Sequence, residues 1–268
     1  MRKANFKQKT GHYGGSTDDA GLKGAIVLDP EELDSIGLHK NVAILDFAGL
    51  YASCMIAANS SFETKVARGD EQDDDIIGDG CRFRRSPMGI LPASVIELDE
   101  LRNDYKARRD AAGEKHGKTS DAFRKWDDAQ KTVKRLRATF YGLMALKGFS
   151  WGDMDIARTI TKFGRDALMA IMRASEELGY RVIYGHTDSI FVKMGDDLST
   201  EECVEQAQAL SEYLTKMMQE DLKSDAMIVD CEMLMDRFYL PRRNRYGGRV
   251  VWMPEVGFKV AEEAVEDR

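Results

Sequence analysis

One segment, residues 182–192, constrains the fold of this chain more than any other. It reads VIYGHTDSIFV, with β-branched and aromatic residues on both sides of a short polar stretch. Such residues favour strands, and a short polar break between two runs of them is typical of a β-hairpin. The segment therefore predicts two antiparallel strands with Asp188 at the turn that joins them.

A second aspartate follows an apolar run earlier in the chain. Residues 42–45, VAIL, lead directly into Asp46 and predict a strand that ends there. A single aspartate in a turn usually serves the turn itself. Two strand-end aspartates that are distant in sequence can also meet in one sheet and hold divalent metal ions for phosphoryl transfer. On the residues alone, both interpretations are open.

Composition limits the class of protein. The chain has 268 residues, 43% of them hydrophobic, which is enough for a buried core in one or two domains. No apolar run approaches the ~20 residues that span a bilayer, and the N-terminus lacks the apolar stretch of a signal peptide. The four cysteines form no CxxC pair, which favours reduced thiols over a metal site. We therefore expect a soluble, intracellular protein without a membrane segment.

The charge of the chain is unevenly distributed. The net charge of −7 argues against a uniformly basic nucleic-acid-binding protein. Residues 101–137, however, contain twelve Lys or Arg and six Asp or Glu. Because phosphate contacts need only a local positive surface, this segment is a candidate nucleic-acid contact. A solvated, charged helical hairpin is the alternative.

Periodicity predicts a helical hairpin in the middle of the chain. Residues 93–112 and 120–141 have helical patterns, and a glycine-bounded joint at residues 113–118 suits an antiparallel pair. Residues 25–45 predict two short strands around Pro30. The other predicted elements are helices at residues 51–58, 153–178 and 200–221, and strands at residues 227–234 and 249–253.

Four motifs together resemble those of family B DNA polymerases. Residues 46–53 (DFAGLYAS) are similar to the first palm motif, DxxSLYPS, and residues 184–189 (YGHTDS) to the third, YGDTDS. Residues 130–142 (QKTVKRLRATFYG) resemble the fingers motif, in which a Lys precedes NSxYG, and residues 243–246 (RNRY) resemble a basic KKRY element. The motifs follow the order of the family, and the resemblance covers roughly residues 21–260.

The resemblance implies an α+β fold. It would be a polymerase palm, with a mainly antiparallel sheet and packed helices, into which a two-helix antiparallel fingers hairpin is inserted. The first part of the palm would occupy residues 1–88, with a mobile N-terminus. Residues 89–145 would form the fingers, and residues 146–268 the second part of the palm, ending near the junction with a thumb.

The resemblance also implies an activity, which is template-directed DNA synthesis on a primer 3′-hydroxyl by a two-metal mechanism. Primer–template DNA and dNTPs would be the partners, with two Mg²⁺ ions, or Mn²⁺ in their place, as cofactors. By resemblance, Asp46 and Asp188 bridge the metals and the Phe47 carbonyl is a further ligand. Lys134 would neutralise charge and protonate the leaving group.

Contacts to nucleotide and DNA follow from the same resemblance. Tyr51 would stack beneath the sugar and reject a ribose 2′-hydroxyl, and the Gly49 and Leu50 N–H groups would face the triphosphate. The complete set of implied dNTP ligands is Phe47, Gly49, Leu50, Tyr51, Arg102, Lys106, Lys134 and Tyr141. The implied DNA contacts are Gly142, Thr187, Arg243, Arg245 and Tyr246.

The chain departs from the family pattern at several positions near this site. Gly49 replaces Ser, Ala52 replaces Pro, Ala138 replaces Asn, Thr139 replaces Ser, and His186 replaces the first Asp of the third motif. Asp46, Asp188 and Lys134 are retained, which favours a divergent enzyme over a decayed one.

Neither the carboxylates of an exonuclease nor a thumb segment is recognisable. We therefore expect one chain of a split or minimal polymerase, with a separate chain supplying an exonuclease, a thumb or both. Two alternatives stay open. One is a catalytically weak or inactive polymerase-like subunit that binds primer–template or a replisome partner, and the other is a metal-dependent nucleotidyltransferase that is not a replicative polymerase.

Overall fold

A computed structural model describes residues 24–146, 150, 152–254 and 256–258. The expected mobile N-terminus, at residues 1–20, lies outside the described residues, as does most of the expected approach to a thumb. In chain order the elements are β1 (Gly37–Phe47), α1 (Leu50–Ala57), β2 (Ile76–Ile77), β3 (Arg82–Phe83), α2 (Ile90–His116), α3 (Asp121–Met144), α4 (Met154–Glu177), β4 (Arg181–His186), β5 (Ser189–Lys193), α5 (Thr200–Leu222), β6 (Val229–Arg242) and β7 (Arg245–Trp252).

A five-stranded sheet with the strand order β4-β5-β1-β6-β7 forms the centre of the fold. Every neighbouring pair in it is antiparallel. The predicted hairpin at residues 182–192 is confirmed as β4 and β5, and β5 pairs with β1 so that Asp46 lies opposite Ser189. The predicted α+β class with a mainly antiparallel sheet is therefore confirmed.

Strand β1 is buried on both faces of this sheet. Because successive side chains of a strand point to opposite faces, Ala43 and Leu45 join the core beneath the helices. Val42 and Ile44 join a second cluster on the other face. This double burial explains the uninterrupted apolar run that leads into Asp46, since strands covered on both faces lose the alternation of a half-exposed strand.

The predicted helical hairpin is formed by α2 and α3. Its side-chain pairs run in opposite directions along the two helices: Asp99 contacts Arg137 near the base, and Arg109 contacts Asp127 further out. Ser120 caps α3 by accepting the Phe123 N–H. Both helices extend further toward the palm than predicted, to Ile90 and Met144. The joint predicted at residues 113–118 was wrong in extent, because α2 continues through Gly113, which packs against Phe123 of α3, and ends at His116. The assignment of residues 89–145 as a separate fingers domain stays a prediction.

Side-chain capping supports the two remaining long helices. Asp153 accepts the N–H groups of Asp155 and Ile156 at the start of α4. Ser199 and Glu202 form a reciprocal capping box at the start of α5. Both helices were predicted nearly to their ends. Within the described part of the chain, no helix is both long and apolar enough to cross a bilayer.

Two strand predictions were wrong in extent. Residues 25–45 do not form two strands around Pro30. The chain turns there, and the Ser35 N–H donates to the Pro30 carbonyl at 3.0 Å. A single bridge, Val27 to His186, precedes that turn. Strand β6 does not end at residue 234 but continues to Arg242 and forms a second hairpin with β7.

Tyr184 connects this second hairpin to β4. Its side chain is fully buried and packs against Phe191 and Tyr246, with ring centroids 5.4 Å and 5.9 Å away. Its hydroxyl accepts the Asn244 N–H at 2.9 Å. Asn244 lies in the turn between β6 and β7 and has a φ of 58°, a conformation that needs local support. Tyr184 therefore fixes the hairpin over the outer face of the sheet.

We expect Tyr184→Phe to lower the free energy of unfolding by about 1–2 kcal/mol, because the Asn244 N–H loses its acceptor while the packing of the ring is preserved. Urea denaturation measures the change. Tyr239→Phe is the matched control, since Tyr239 is 54% exposed. Equal effects of the two substitutions would contradict the proposed support of the turn.

Candidate active site

Asp46 and Asp188 meet at one end of the central sheet. The Phe47 N–H donates to the Asp188 carbonyl at 3.0 Å. The Ser189 hydroxyl donates to Asp46 Oδ1, also at 3.0 Å. These two hydrogen bonds join the end of β1 to the turn between β4 and β5. The structure thus brings the two strand-end aspartates together, while their role as metal ligands stays a prediction.

The turn that carries Asp188 has an uncommon backbone. Thr187 has a φ of 58°, which is unfavourable for a β-branched residue. Its N–H donates to the Ile26 carbonyl at 2.9 Å, so the segment before β1 helps to hold the turn. Backbone strain of this kind persists where surrounding contacts enforce it and is concentrated at functional sites.

Asp46 lies in an environment of excess negative charge. Burial raises its pKa to about 7, the Asp188 carboxylate adds to the rise, the Ser189 hydroxyl opposes it, and Glu232 and Asp230 raise the pKa further. Asp230 is the neighbour of Asp46 across β1 and β6. Among the described residues, the charged groups that shift the pKa of Asp46 are therefore all carboxylates.

Asp230 and Glu232 were missed by the sequence analysis. Their spacing in the sequence is a usable hint, because residues two apart in a strand point to the same face. The spacing alone could not connect these residues with Asp46. Only the register of β6 against β1 shows that Asp230 lies opposite Asp46.

The donor atoms at this site suit a divalent cation. Within the described ranges, no three His, Cys, Asp or Glu side chains are arranged to hold a metal ion. The available set is two carboxylates, from Asp46 and Asp188, with the Phe47 carbonyl as a backbone oxygen. Hard oxygen donors are those that Mg²⁺ prefers. The pKa of Asp46 is raised by burial first and by neighbouring carboxylates second, and a bound cation would oppose both effects, so the residues present fit the expected cofactor.

A cavity of about 200 Å³ lies beside the aspartates, between the start of α1 and one face of α3. On α3 it is lined at intervals of three and four residues, which is the spacing of one helix face. Seven of the predicted site residues line it: Gly49, Leu50, Tyr51, Lys134, Tyr141, Thr187 and Asp188. Ala52 and Ala138, two of the departures from the family pattern, line it as well.

Tyr51 and Tyr141 line this cavity and pack against each other. The centroids of the two rings are 4.4 Å apart, with an interplanar angle of 32°. Burial raises the pKa of Tyr51 to about 12, and Tyr141 and Asp188 contribute to the rise. The side chain is therefore a neutral, rigidly packed ring at neutral pH.

One predicted phosphate donor is used differently. The Gly49 N–H, expected to face a triphosphate, instead donates to the Phe47 carbonyl at 2.5 Å. Helix geometry leaves the first-turn N–H groups of α1, at Leu50 and Tyr51, without partners inside the helix. Those groups, and not the Gly49 N–H, are the backbone donors that this turn offers to an anion.

Arg102 and Lys106 do not line the cavity of about 200 Å³ that contains Tyr51, which we call the Tyr51 cavity. Arg102 lines a second cavity of about 570 Å³ on the other side of Arg137. Lys106 lies one turn further along α2 and, in the described structure, lines neither of these two cavities. The reason is that Leu91 and Val95, near the start of α2, pack in the core, whereas the later turns of this helix extend away from the sheet.

Two of the predicted DNA contacts, Arg243 and Arg245, lie at the turn between β6 and β7. Tyr246 follows them, but its ring packs in the aromatic cluster, 5.0 Å from Phe191 and 5.7 Å from Phe238. Since Tyr184 holds this turn from β4, the basic residues lie over the hairpin that also carries Asp188. Gly142 lies in α3, next to the cavity residue Tyr141. Contact of these residues with DNA stays a prediction.

Comparison with known proteins finds consistent similarity to one family. The family model described as DNA polymerase family B matches residues 4–260. DNA polymerase 2 of Aeropyrum pernix is 33% identical over 63% of this chain and 21% of its own length. The DNA polymerase of Archaeoglobus fulgidus is 36% identical over 63% of this chain and 20% of its own length. The chain therefore spans about a fifth of the length of these curated relatives.

A solved structure supports the same similarity at the level of the fold. The family B DNA polymerase from the hyperthermophilic archaeon Pyrobaculum calidifontis matches with a TM-score of 0.59 and 27% sequence identity. The match covers 87% of this chain and 28% of that chain.

The raised pKa of Asp46 leads to a prediction about stability. With a folded-state pKa of about 7 against an ordinary value of 3.8, the folded protein binds this proton more tightly than the unfolded chain. The free energy of unfolding should therefore fall as the pH rises from about 4 to 7 and level off above that. Asp46→Asn removes this penalty. We expect it to be more stable than the unsubstituted protein by about 1–2 kcal/mol at pH 8, allowing for partial exposure, and nearly equal at pH 4.

Urea denaturation in EDTA at both pH values measures this difference. Asp197→Asn is the control, because Asp197 is exposed in a loop. Addition of Mg²⁺ at pH 8 should stabilise the unsubstituted protein more than Asp46→Asn, since the substitution removes one of the two charged ligands expected for the ion. A stability difference that does not depend on pH would show that the Asp46 charge is not the cause.

Proposed function

The chain belongs to DNA polymerase family B, and on that basis we propose that it carries out template-directed DNA synthesis, joining a dNTP to the 3′-hydroxyl of a primer. The observation that carries this proposal is the meeting of Asp46 and Asp188 beside a cavity lined by Tyr51 and Lys134. Acidic metal ligands, a cavity beside them and a cation for phosphate are the minimum for nucleotidyl transfer.

Asp46, Asp188 and the Phe47 carbonyl would hold two divalent ions, Mg²⁺ or in its place Mn²⁺. When bound, such ions lower the pKa of the attacking hydroxyl and neutralise charge on the phosphates. The protein itself positions the groups that would hold these ions. Ser189 orients the Asp46 carboxylate, and the hydrogen bond between Phe47 and Asp188 fixes the two strand ends relative to each other.

The triphosphate would lie between α1 and α3. The first-turn N–H groups of α1 donate to its oxygens, and Lys134 neutralises its charge and protonates the leaving pyrophosphate. Arg102 and Lys106 would contribute only if α2 moves toward the palm, since they lie away from the Tyr51 cavity.

The DNA would contact the turn between β6 and β7, through Arg243, Arg245 and Tyr246, and the cavity rim, through Thr187 and Gly142. Phosphate contacts of this kind position the duplex and do not read its sequence. In this proposal, an exonuclease and a thumb belong to parts of the enzyme other than the described residues, whether in the same polypeptide or in a separate chain.

An inactive polymerase-like subunit is the competing function. The side chains that the chemistry needs, Asp46, Asp188 and Lys134, are all present. Asp188 and Lys134 line the same cavity, and Asp46 accepts a hydrogen bond from Ser189, the neighbour of Asp188. A subunit that only bound DNA would have no use for the uncompensated charge of Asp46, which destabilises the fold.

Primer extension tests the proposed activity. With Mg²⁺, dNTPs and a primed template, the chain should add the nucleotides that the template specifies. Asp188→Asn should reduce the rate by several orders of magnitude while the urea midpoint changes little, because a charged metal ligand is lost and the shape is kept. Asp197→Asn is the control for a neutralised aspartate outside the site. Full activity of Asp188→Asn would refute the assignment, and addition without regard to template would favour the nucleotidyltransferase alternative.

A second prediction concerns the choice of sugar. Because the Tyr51 ring packs on Tyr141 and lines the cavity, Tyr51→Ala should admit a 2′-hydroxyl. The preference for dNTP over rNTP in kcat/KM should fall by about tenfold or more, the difference that a filled or empty side-chain space typically makes. Tyr51→Phe keeps the ring and should keep the preference. If the ratio is unchanged in Tyr51→Ala, the role of Tyr51 is packing alone.

A further inference from the structure

Three charged side chains meet where α2 and α3 rest on the turn before α1. Arg137 Nε lies 2.9 Å from Asp99 Oδ1. Arg137 Nη2 also donates to the Ala48 carbonyl, at 3.4 Å, and so links α3 to the end of β1. Asp99 is close enough to both Arg137 and Arg102 for each to lower its pKa. The cluster thus contains two guanidinium groups and one carboxylate.

The positive charge of this cluster is incompletely compensated. The Arg137 side chain is only 12% exposed, and Asp99 is 32% exposed. Burial lowers the pKa of Arg137, and Arg102 adds to this effect while Asp99 opposes it. Burial also raises the pKa of Asp99 in spite of both arginines. A buried cation with so little compensation favours the approach of an anion.

The hydrogen-bonding capacity of the cluster is also incompletely used. The Nε atoms of Arg102 and Arg137 are buried and have no hydrogen-bond partner among the described residues. Arg137 Nε is near Asp99, but its N–H is not aligned on the carboxylate oxygen, so the pair is an ion contact without that hydrogen bond. A planar guanidinium with unused donors suits phosphate oxygens, which it can bind through two parallel hydrogen bonds.

Gly49 leaves the space that Arg137 occupies. A Cβ at this position would lie 2.3 Å from Arg137 Nη1 and 2.9 Å from Cζ. Gly49 also has a φ of 82°, which other residues rarely adopt. The family motif has Ser here, so a side chain in that motif would displace a guanidinium from this position. In this chain the guanidinium lies directly against the turn whose helix offers its first-turn N–H groups.

Arg137 lies at the boundary between the two cavities. It lines the Tyr51 cavity with Lys134 and Asp188, and it lines the second cavity with Arg102. Lys134 and Arg137 are three residues apart on α3 and therefore share a face. A phosphate chain that extends from the aspartates along α3 would meet Lys134 and Arg137 in turn. Ala138, next to Arg137, stands where the family motif has a polar Asn.

We propose that Arg137 is a phosphate-binding residue of the nucleotide site, which occupies the space left open by Gly49 and is held in place by Asp99. The ligand is the triphosphate of the incoming nucleotide, so this inference rests on the proposed function. Arg137 thereby supplies a polar contact in a region where the Asn of the family motif is missing.

Steady-state primer extension provides the first test. Arg137→Met keeps the aliphatic stem and removes the charge, so the KM for dNTP should rise by about tenfold or more, while kcat changes by less than about threefold. Arg137→Lys should be intermediate, because a lysine keeps the charge but not the planar pair of donors. Arg135→Met is the matched control, since Arg135 is an exposed arginine of the same helix that does not line the cavity.

A purely structural role of Arg137 predicts a different result. The urea midpoint would fall with an unchanged KM, and that outcome would overturn the proposal. Equilibrium binding of a fluorescent dATP analogue, with inorganic tripolyphosphate as competitor, gives a readout that does not require chemistry. Arg137→Met should weaken binding of both the analogue and tripolyphosphate, whereas Arg135→Met should weaken neither.

A double-mutant cycle with Gly49 isolates the contact itself. Gly49→Ala introduces backbone strain and also displaces Arg137, whereas in an Arg137→Ala background only the strain remains. We expect Gly49→Ala to raise the KM by about tenfold when Arg137 is present and by less than about threefold when it is absent. Additive effects would show that the two positions act independently, and the proposal would fall.

Failure of the inference can be told apart from failure of the proposed function. Template-directed incorporation with a KM that does not depend on Arg137 would retain the function and refute the inference. Absence of incorporation by the unsubstituted chain, together with Arg137-dependent binding of tripolyphosphate, would refute the function and retain the phosphate site.

Discussion

The pairing of β1 with β5 on one side and β6 on the other is the interaction on which the site depends. It places Asp46 opposite Ser189 and Asp230, residues that are far away in sequence. A slip by one residue would turn Asp46 to the opposite face of the sheet. The apolar side chains of Val42 to Leu45 are buried on both faces and hold the register, so the core and the geometry of the candidate site are set by the same contacts.

The cavity has an excess of negative charge on its palm side and an excess of positive charge on the side of the helical hairpin. On the palm side, Asp46 is surrounded by carboxylates and has a pKa of about 7. On the side of the helical hairpin, Arg137 and Arg102 share a single carboxylate, Asp99. Each excess opposes folding, since charges are buried without full compensation. In the proposed function, a nucleotide triphosphate with its divalent cations carries both signs and would relieve both excesses at once, so binding is favoured by charges that the empty fold leaves unbalanced.

Local patterns predicted most of the elements but only part of the site. The β4–β5 hairpin and the α2–α3 pair were predictable, because turn residues and helical periodicity are encoded within a few neighbours. The contacts of Asp230 and Arg137 were not, since they depend on strand register and on how the helical hairpin rests on the sheet. The hydrogen-bond partner of the Gly49 N–H was also mispredicted, because it depends on the conformation of the folded turn. A motif identifies the residue, whereas only the folded turn shows that the Phe47 carbonyl accepts its hydrogen bond.

The groups proposed to bind phosphate differ in how firmly they are joined to the palm. The first turn of α1 is part of the palm core, and the base of α3 is tied to the end of β1 by the contact of Arg137 with Ala48. Arg102 and Lys106 are on α2, and its outer turns are supported mainly by α3 and not by the sheet. In the proposed function, a set of donors held by the palm is therefore in place, and Arg102 and Lys106 would add to it only if α2 moved toward the palm. This division explains why the cavity beside Asp188 already contains Lys134 and Arg137, while Arg102 faces the neighbouring space.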